Sequence, residues 1–375
     1  MTTTETRYDT ANPVDDRYAP PLTGEIEALR AVLEDGRLSG GAVNLPVYET
    51  ALADYFGVRR ALAVSSGTTA IDAALVAMGV GPGAEVLVPA TAVGPTAMPI
   101  LTRGATPVIV DTQPGSLALD PADVERKISR RTKAALVLPL WGYPNDERAA
   151  AAVLQQAGVP IVEDACQAHG TRIGGRHAGT IGRVGALSTH DRKLVATGEG
   201  GFLLTDDEEL ADRIDHYTHL GHLKSAVHGT NFKLGGLAAA VGLVRLGQLP
   251  RQLARRAANA RRILDALPLD GLLRELVYGE DDTPNYYSLV LIAHARQAEI
   301  GAALASAGLP PDSIRWGYRP LYHRPLFSAY ATACPNAEAF AASTFQLPVH
   351  PGLDDATLEW MAGQVAAIAR GGNRS

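Results

Sequence analysis

Between residues 60 and 205 the chain repeats one unit: a short run of aliphatic and β-branched residues, a polar turn, then a stretch with helical spacing. The runs are Ala61–Ser65, Glu85–Pro89, Pro107–Asp111, Ala134–Leu138, Pro160–Glu163, Gly185–Thr189 and Gly201–Thr205. Several are apolar throughout rather than at alternate positions, the pattern of strands covered on both faces. Thr68–Met78, Pro121–Ser129 and Glu147–Ala157 read as the intervening helices. Strand and helix in repetition restrict the fold to α/β with a mostly parallel central sheet. Leu237–Leu267 reads as one or two Arg-rich helices interrupted at Pro250, with Pro268 as a stop. Tyr286–Ile292 reads as a strand, Ala295–Ala307 as a helix and Asp354–Ala367 as a closing helix. The expected organisation is an arm over residues 1–20, a large domain over 21–250 and a smaller C-terminal α+β domain over 251–375.

Composition narrows the function classes. At 375 residues, 46% hydrophobic and 20% charged, the chain can bury a large core, which excludes global disorder. A net charge of −6 without a basic run argues against nucleic acid as the main partner. Two cysteines, Cys166 and Cys334, are too few for a disulfide framework. No apolar run approaches the ~20 residues that span a bilayer. A soluble, cytoplasmic protein with neither a nucleic-acid nor a membrane partner is expected. Five residues are lysine against 29 arginines, so chemistry that needs a lysine amine has only Lys127, Lys133, Lys193, Lys224 and Lys233 to choose from.

Three local signals carry chemistry. Ser65-Ser66-Gly67-Thr68-Thr69-Ala70 follows a strand and opens a helix, where hydroxyls and free N–H groups form an anion site; ordinary helix capping explains it equally well. Ile161-Val162-Glu163-Asp164 ends an apolar strand in two acids at the carboxyl edge, where α/β ligands bind. Asp164 there can pair with a cationic ring nitrogen or simply cap the next helix. Ser188-Thr189-His190-Asp191-Arg192-Lys193 leads into Gly198-Glu199-Gly200-Gly201, placing one lysine after a buried strand. A shielded lysine can form an imine, while the plainer reading is a surface lysine in a polar loop.

In this order the signals form a recognisable layout. With Gly83–Pro89, Gly104–Asp111, Gly229-Thr230-Asn231-Phe232-Lys233 and Leu347-Pro348, they make the sequence resemble the DegT/DnrJ/EryC1/StrS sugar aminotransferases over roughly residues 20–370. The resemblance implies the fold-type-I architecture of transferases that use pyridoxal 5′-phosphate. It makes Lys193 the Schiff-base lysine and proton carrier, and Asp164 the partner of the pyridine nitrogen. It assigns Ser66, Gly67, Thr68 and Ser188 to the phosphate and Gln167 to the ring oxygen. Asn231 becomes a residue lent to the neighbouring subunit's phosphate, which implies a homodimer with shared sites. Lys233, Tyr318 and His323 fall on the substrate side.

The sequence also departs from the family pattern. Where relatives carry an aromatic over the ring, Pro89-Ala90-Thr91-Ala92-Val93 offers the aliphatic Val93. Pro139 stands at a position that is often His, Gly236 replaces a usual acid, and Tyr318-Arg319-Pro320-Leu321-Tyr322 precedes His323 in place of a Tyr-x-Pro-Leu-His motif. The implied reaction moves an amino group from glutamate or glutamine to a keto sugar or keto-cyclitol, as in amino-sugar or antibiotic biosynthesis. A dehydratase or aromatising lyase on the same cofactor, and a non-catalytic regulator with a vestigial pocket, are the alternatives. Elsewhere, His216, His219, His222 and His228 read as a polar loop before a metal site. Cys166 reads as core packing, and Arg251, Arg255, Arg256, Arg261 and Arg262 as a solvated helix face.

Overall fold

All seven runs pair in one sheet in the computed structural model, which describes residues 8–224 and 227–371. In chain order the elements are α1 (Glu25–Asp35), α2 (Asn44–Phe56), β1 (Arg60–Val64), α3 (Gly67–Ala77), β2 (Glu85–Pro89), α4 (Gly94–Thr102), β3 (Thr106–Val110), α5 (Pro121–Lys127), β4 (Thr132–Val137), α6 (Arg148–Gln156) and β5 (Ile161–Asp164). A short hairpin of β6 (Arg172–Ile173) and β7 (Arg176–His177) leads to β8 (Val184–Ser188), β9 (Gly201–Thr205), α7 (Glu208–Thr218) and α8 (Gly236–Leu264). The C-terminal part holds β10 (Leu273–Glu275), β11 (Leu289–Ala293), α9 (Gln297–Ser306), α10 (Asp312–Arg315), α11 (Pro335–Ser343), β12 (Thr344–Leu347) and α12 (Asp355–Ala369).

The large sheet has the order β1-β9-β8-β5-β4-β2-β3. Strands β3, β2, β4, β5 and β8 pair in parallel, and β9 runs antiparallel to both β8 and β1. Its strands are apolar throughout because both faces are covered. Val86 and Val88 pack with Val64, Ile71 and Leu203, while Leu87 between them packs with Val110, Val124 and Leu154 on the other side. Two-sided burial with helical crossovers is what makes a parallel sheet stable.

A three-stranded antiparallel sheet, β10-β11-β12, forms the C-terminal layer. Leu289, Leu291 and Phe345 pack there with Ile263 of α8 and with Met361 and Val365 of α12. Helix α8 runs unbroken for 29 residues through Pro250, where the sequence suggested an interruption. Pro250 is exposed, so the cost of its missing N–H is one ladder bond rather than a steric conflict in the core. Helix α4 lies in a stretch that the sequence did not assign to a helix. Gly94-Pro95 opens it and Pro99 lies inside it, masking the apolar spacing.

Residues 8–20 have no regular helix or strand, yet they are laid down firmly. Val14 is buried and its N–H donates to the Gly308 carbonyl at 2.9 Å. Asp16 bridges Arg192 at 2.8 Å and Arg315 at 3.4 Å, tying the segment following β8 to α10.

Candidate active site

The carboxyl ends of β1, β2, β4, β5 and β8 converge on one cavity of about 400 Å³. Each strand stops where its apolar run gives way to Gly, Pro or a polar residue, and the chain turns there into the site. Ser66, Gly67, Thr68, Val93, Asp164, Gln167, Ser188 and Lys193 all line it.

At one end sits the start of α3. Ser66 is the N-cap: its Oγ accepts the Thr69 N–H at 3.0 Å, and the Thr69 hydroxyl in turn accepts the Ser66 N–H at 2.9 Å. The Ser66 hydroxyl is thus committed to capping. The backbone N–H groups of Gly67 and Thr68 precede the helix's own ladder and lie at its positive end, together with the exposed Thr68 side chain. Ser188 Oγ accepts the His190 N–H at 3.3 Å, which leaves its O–H free to donate. Glycine is required at 67 because a Cβ there would lie 2.6 Å from Ser188 Cβ and 2.7 Å from Cys166 Sγ. The close approach of three segments builds the cradle.

Asp164 forms the opposite feature. Its carboxylate is buried at 8% exposure, with Oδ2 accepting the Thr96 hydroxyl at 2.5 Å and Oδ1 the Cys166 N–H at 3.2 Å. Among the described residues no Lys, Arg or His comes within 4.0 Å of it. A buried carboxylate held in this way calls for a cation from a ligand. Thr96, from the unassigned α4, is the functional residue the sequence reading missed; the Gly94-Pro95 helix start was its only signal.

Lys193 is half-buried at the rim, with its Nζ 5.0 Å from the centre of the Tyr287 ring. His190 and Glu199, 3.9 Å apart, stand at the mouth beside it. Gln167 Oε1 accepts the Trp141 N–H at 2.7 Å, so the amide NH2 is the end left for a ligand. Trp141 is held in the left-handed region (φ 56°), where the chain must turn to bring that N–H to Gln167. Cys166 also lines the cavity, rather than packing wholly in the core. Burial, with Asp164 beside it, pushes its thiol well above the ordinary range, so it is a poor nucleophile.

Four sequence candidates lie outside the cavity lining. Asn231 is exposed, in a bridge with His219. Lys233 bridges Val64, close to Gly40. Tyr318 is buried edge-on against Trp141, and its hydroxyl donates to the Thr91 carbonyl at 3.1 Å. His323 is exposed, 3.4 Å from Glu338. Of the four neighbouring histidines, His219 and His222 sit on Asp215 at 3.1 and 2.7 Å, with His216 on the helical turn of α7. Arg256 is not on a solvated face: it is 5% exposed.

The site thus combines an anion cradle, a carboxylate that lacks a cation, and a primary amine. A ligand with a phosphate, a cationic ring and an electrophilic carbon meets all three. Residues 23–366 match the family described as DegT/DnrJ/EryC1/StrS aminotransferases. The chain is 34% identical, over 89% of its length and 91% of the relative's, to a dTDP-3-amino-3,4,6-trideoxy-alpha-D-glucose transaminase of Streptomyces venezuelae. It is 33% identical, over 81% of its length and 80% of the relative's, to an L-glutamine:2-deoxy-scyllo-inosose aminotransferase of Micromonospora echinospora. The crystal structure of the aminotransferase TlmJ from Streptoalloteichus hindustanus superposes with a TM-score of 0.85 at 32% identity, covering 95% of this chain and 98% of that one. The chain belongs to the DegT/DnrJ/EryC1/StrS aminotransferase family and is an aminotransferase.

Proposed function

We propose that the protein uses pyridoxal 5′-phosphate to move an amino group from glutamate or glutamine onto a keto sugar or keto-cyclitol. The observation that carries this reading is the buried Asp164 carboxylate without a protein cation, in one cavity with the α3 N-terminus and Lys193. When bound, the cofactor supplies an aldehyde carbon that accepts nitrogen and a ring that accepts electrons.

The chain's own residues do the rest. Asp164 would pair with the ring nitrogen and favour its protonated form, while Thr96 and the Cys166 N–H fix the carboxylate. Gly67, Thr68 and Ser188 hold the phosphate, with the α3 dipole adding to their hydrogen bonds. The Gln167 amide NH2, with its oxygen fixed by Trp141, faces the ring oxygen. Val93 covers one ring face with an aliphatic surface. Lys193 is the amine that would hold the cofactor's aldehyde carbon and would carry the proton of the donor's Cα. Lys233 and His323 are assigned to the acceptor side; Tyr318 acts there through the Thr91 backbone it holds. The exposed Asn231 is assigned to the phosphate of a second copy, making the working unit a homodimer.

Borohydride reduction of the cofactor-loaded protein should fix the label to the peptide containing Lys193. Lys193→Ala should lose both the imine absorption band and the label. Label on any other lysine overturns the assignment. A single turnover with glutamate or glutamine should then convert the bound aldehyde to the amine. Loss of water from a keto substrate without that conversion would replace transfer by elimination.

A further inference from the structure

The Tyr287 ring lies in the segment before β11, remote in sequence from the cavity motifs, and yet it is the group beneath Lys193 Nζ. Its position is built rather than incidental. The Asn285 side chain donates to the carbonyls of Gln167 (2.9 Å) and His169 (3.1 Å) and accepts the Tyr287 N–H at 2.7 Å. Gly142 leaves room for it: a Cβ there would lie 1.7 Å from Asn285 Oδ1. The next residue, Tyr286, is held at φ 52°, a conformation that costs energy in a non-glycine residue. On the other side Arg256 Nη1 donates to the carbonyls of both Tyr286 and Tyr287 at 3.1 Å. Arg256 is buried and has no carboxylate within 4.0 Å among the described residues. A desolvated guanidinium spent on two carbonyls shows how firmly this turn is fixed.

We propose that Tyr287 is the resting place of the Lys193 ammonium, the site that holds the lysine while it is detached from the cofactor. The proposal rests on the transaminase reading above. During turnover the donor nitrogen replaces Nζ at the aldehyde carbon: one carbon–nitrogen bond forms, the bond to Nζ breaks, and Nζ is released as an amine. That amine takes the proton from the donor's Cα and becomes an ammonium, and it later gives the same proton up. The π-face of Tyr287 stabilises the charged form at 5.0 Å, within cation–π range. The other titratable groups around Nζ are Asp164 and Cys166 after β5, His169, and His190 and Glu199 at the mouth. The Tyr287 ring face attracts the ammonium without offering a basic atom that would take its proton.

The test compares Tyr287→Phe with Tyr287→Leu. Cofactor-free protein is mixed with pyridoxal phosphate over a pH series, and growth of the imine band is followed. A stabilised ammonium delays capture, so Tyr287→Leu should speed capture at neutral pH by about threefold, and Tyr287→Phe should leave the rate in place. In single-turnover reactions with glutamate, Tyr287→Leu should slow proton transfer by severalfold without changing donor affinity, and Tyr287→Phe should restore the rate. Circular dichroism confirms folding of both variants. Unchanged capture and turnover in Tyr287→Leu overturns the proposal, as does a Phe variant that behaves like Leu. Failure of even the unaltered protein to form a Lys193-linked band would instead overturn the transaminase reading.

Discussion

His169 gives a test of the site's burial that needs no substrate. It follows Asp164 and Gln167 on the loop after β5 and is fully buried, its ring edge-on to Phe202 at 5.9 Å. Neither ring nitrogen has a hydrogen-bond partner. Burial, with the Lys193 charge added, pushes its pKa down from 6.5 to about 3. The folded pKa is below the unfolded one, so the unfolded chain takes up a proton that the native state refuses as the pH falls. Full stability is present above pH 6.5 and is lost progressively below it. At pH 5 the unfolded imidazole is largely protonated and the native one is not, which costs the fold about 2 kcal/mol from this residue alone. His169→Phe removes the titration. Any packing penalty of the larger ring enters equally at pH 8 and pH 5, and so do the other ionisable groups. The stability of His169→Phe relative to the unaltered protein should therefore rise by about 2 kcal/mol between pH 8 and pH 5. Urea unfolding of the cofactor-free protein, followed by tryptophan fluorescence at both pH values, measures that difference. An equal gap at the two pH values would falsify the claim that His169 stays neutral inside the fold.

Two further substitutions probe the cavity and its support. Gly67→Ala forces a Cβ against Ser188 and Cys166, an overpacking worth about 1–3 kcal/mol in urea unfolding. It should also weaken pyridoxal phosphate binding in a fluorescence titration. Asp312 accepts the Trp141 indole N–H at 2.8 Å, and burial raises its pKa from 3.8 to about 6. Its charged form is therefore disfavoured in the fold, and stability falls as the pH rises from 3.8 through 6. Asp312→Asn keeps an acceptor for Trp141 and should be the more stable protein at pH 8 by about 3 kcal/mol, the advantage fading towards pH 4.

The sheet was legible in the sequence because strands buried on both faces need no alternation to betray them; Glu85–Pro89 and Gly201–Thr205 were read to their ends. The cavity's ionic groups were legible for a related reason. Strand ends in an α/β fold are where the chain turns polar, and Ser66, Asp164, Ser188 and Lys193 all follow an apolar run. What sequence could not show is whatever tertiary contact decides. Thr96 meets Asp164 across 68 positions, on a helix disguised by Pro95 and Pro99. Arg256 is one of six arginines on a single helix. Nothing local marks it as the one turned inward, because its burial is fixed by the Tyr286–Tyr287 turn. Tyr287 has no motif at all; only the folded chain brings it under Lys193.

Asp164 and Arg256 make an instructive pair, because each is a buried charge with no opposite charge from the chain. For Arg256 the deficit is met in part by the backbone: two carbonyls accept from Nη1 while Nε has no partner among the described residues, and burial draws the pKa down to about 10, leaving the group still charged at neutral pH. Its reward is geometric, a rigid turn. For Asp164 the deficit is met only in part. One hydroxyl and one N–H occupy the carboxylate, which lines the cavity. Replacing Arg256 by an apolar residue would therefore relax a turn, whereas a cationic ligand would relieve the Asp164 deficit. Binding that ligand must stabilise the fold, by an amount that grows with its concentration over its dissociation constant. The same charge is what would give a cationic ring its advantage in this cavity over a neutral one.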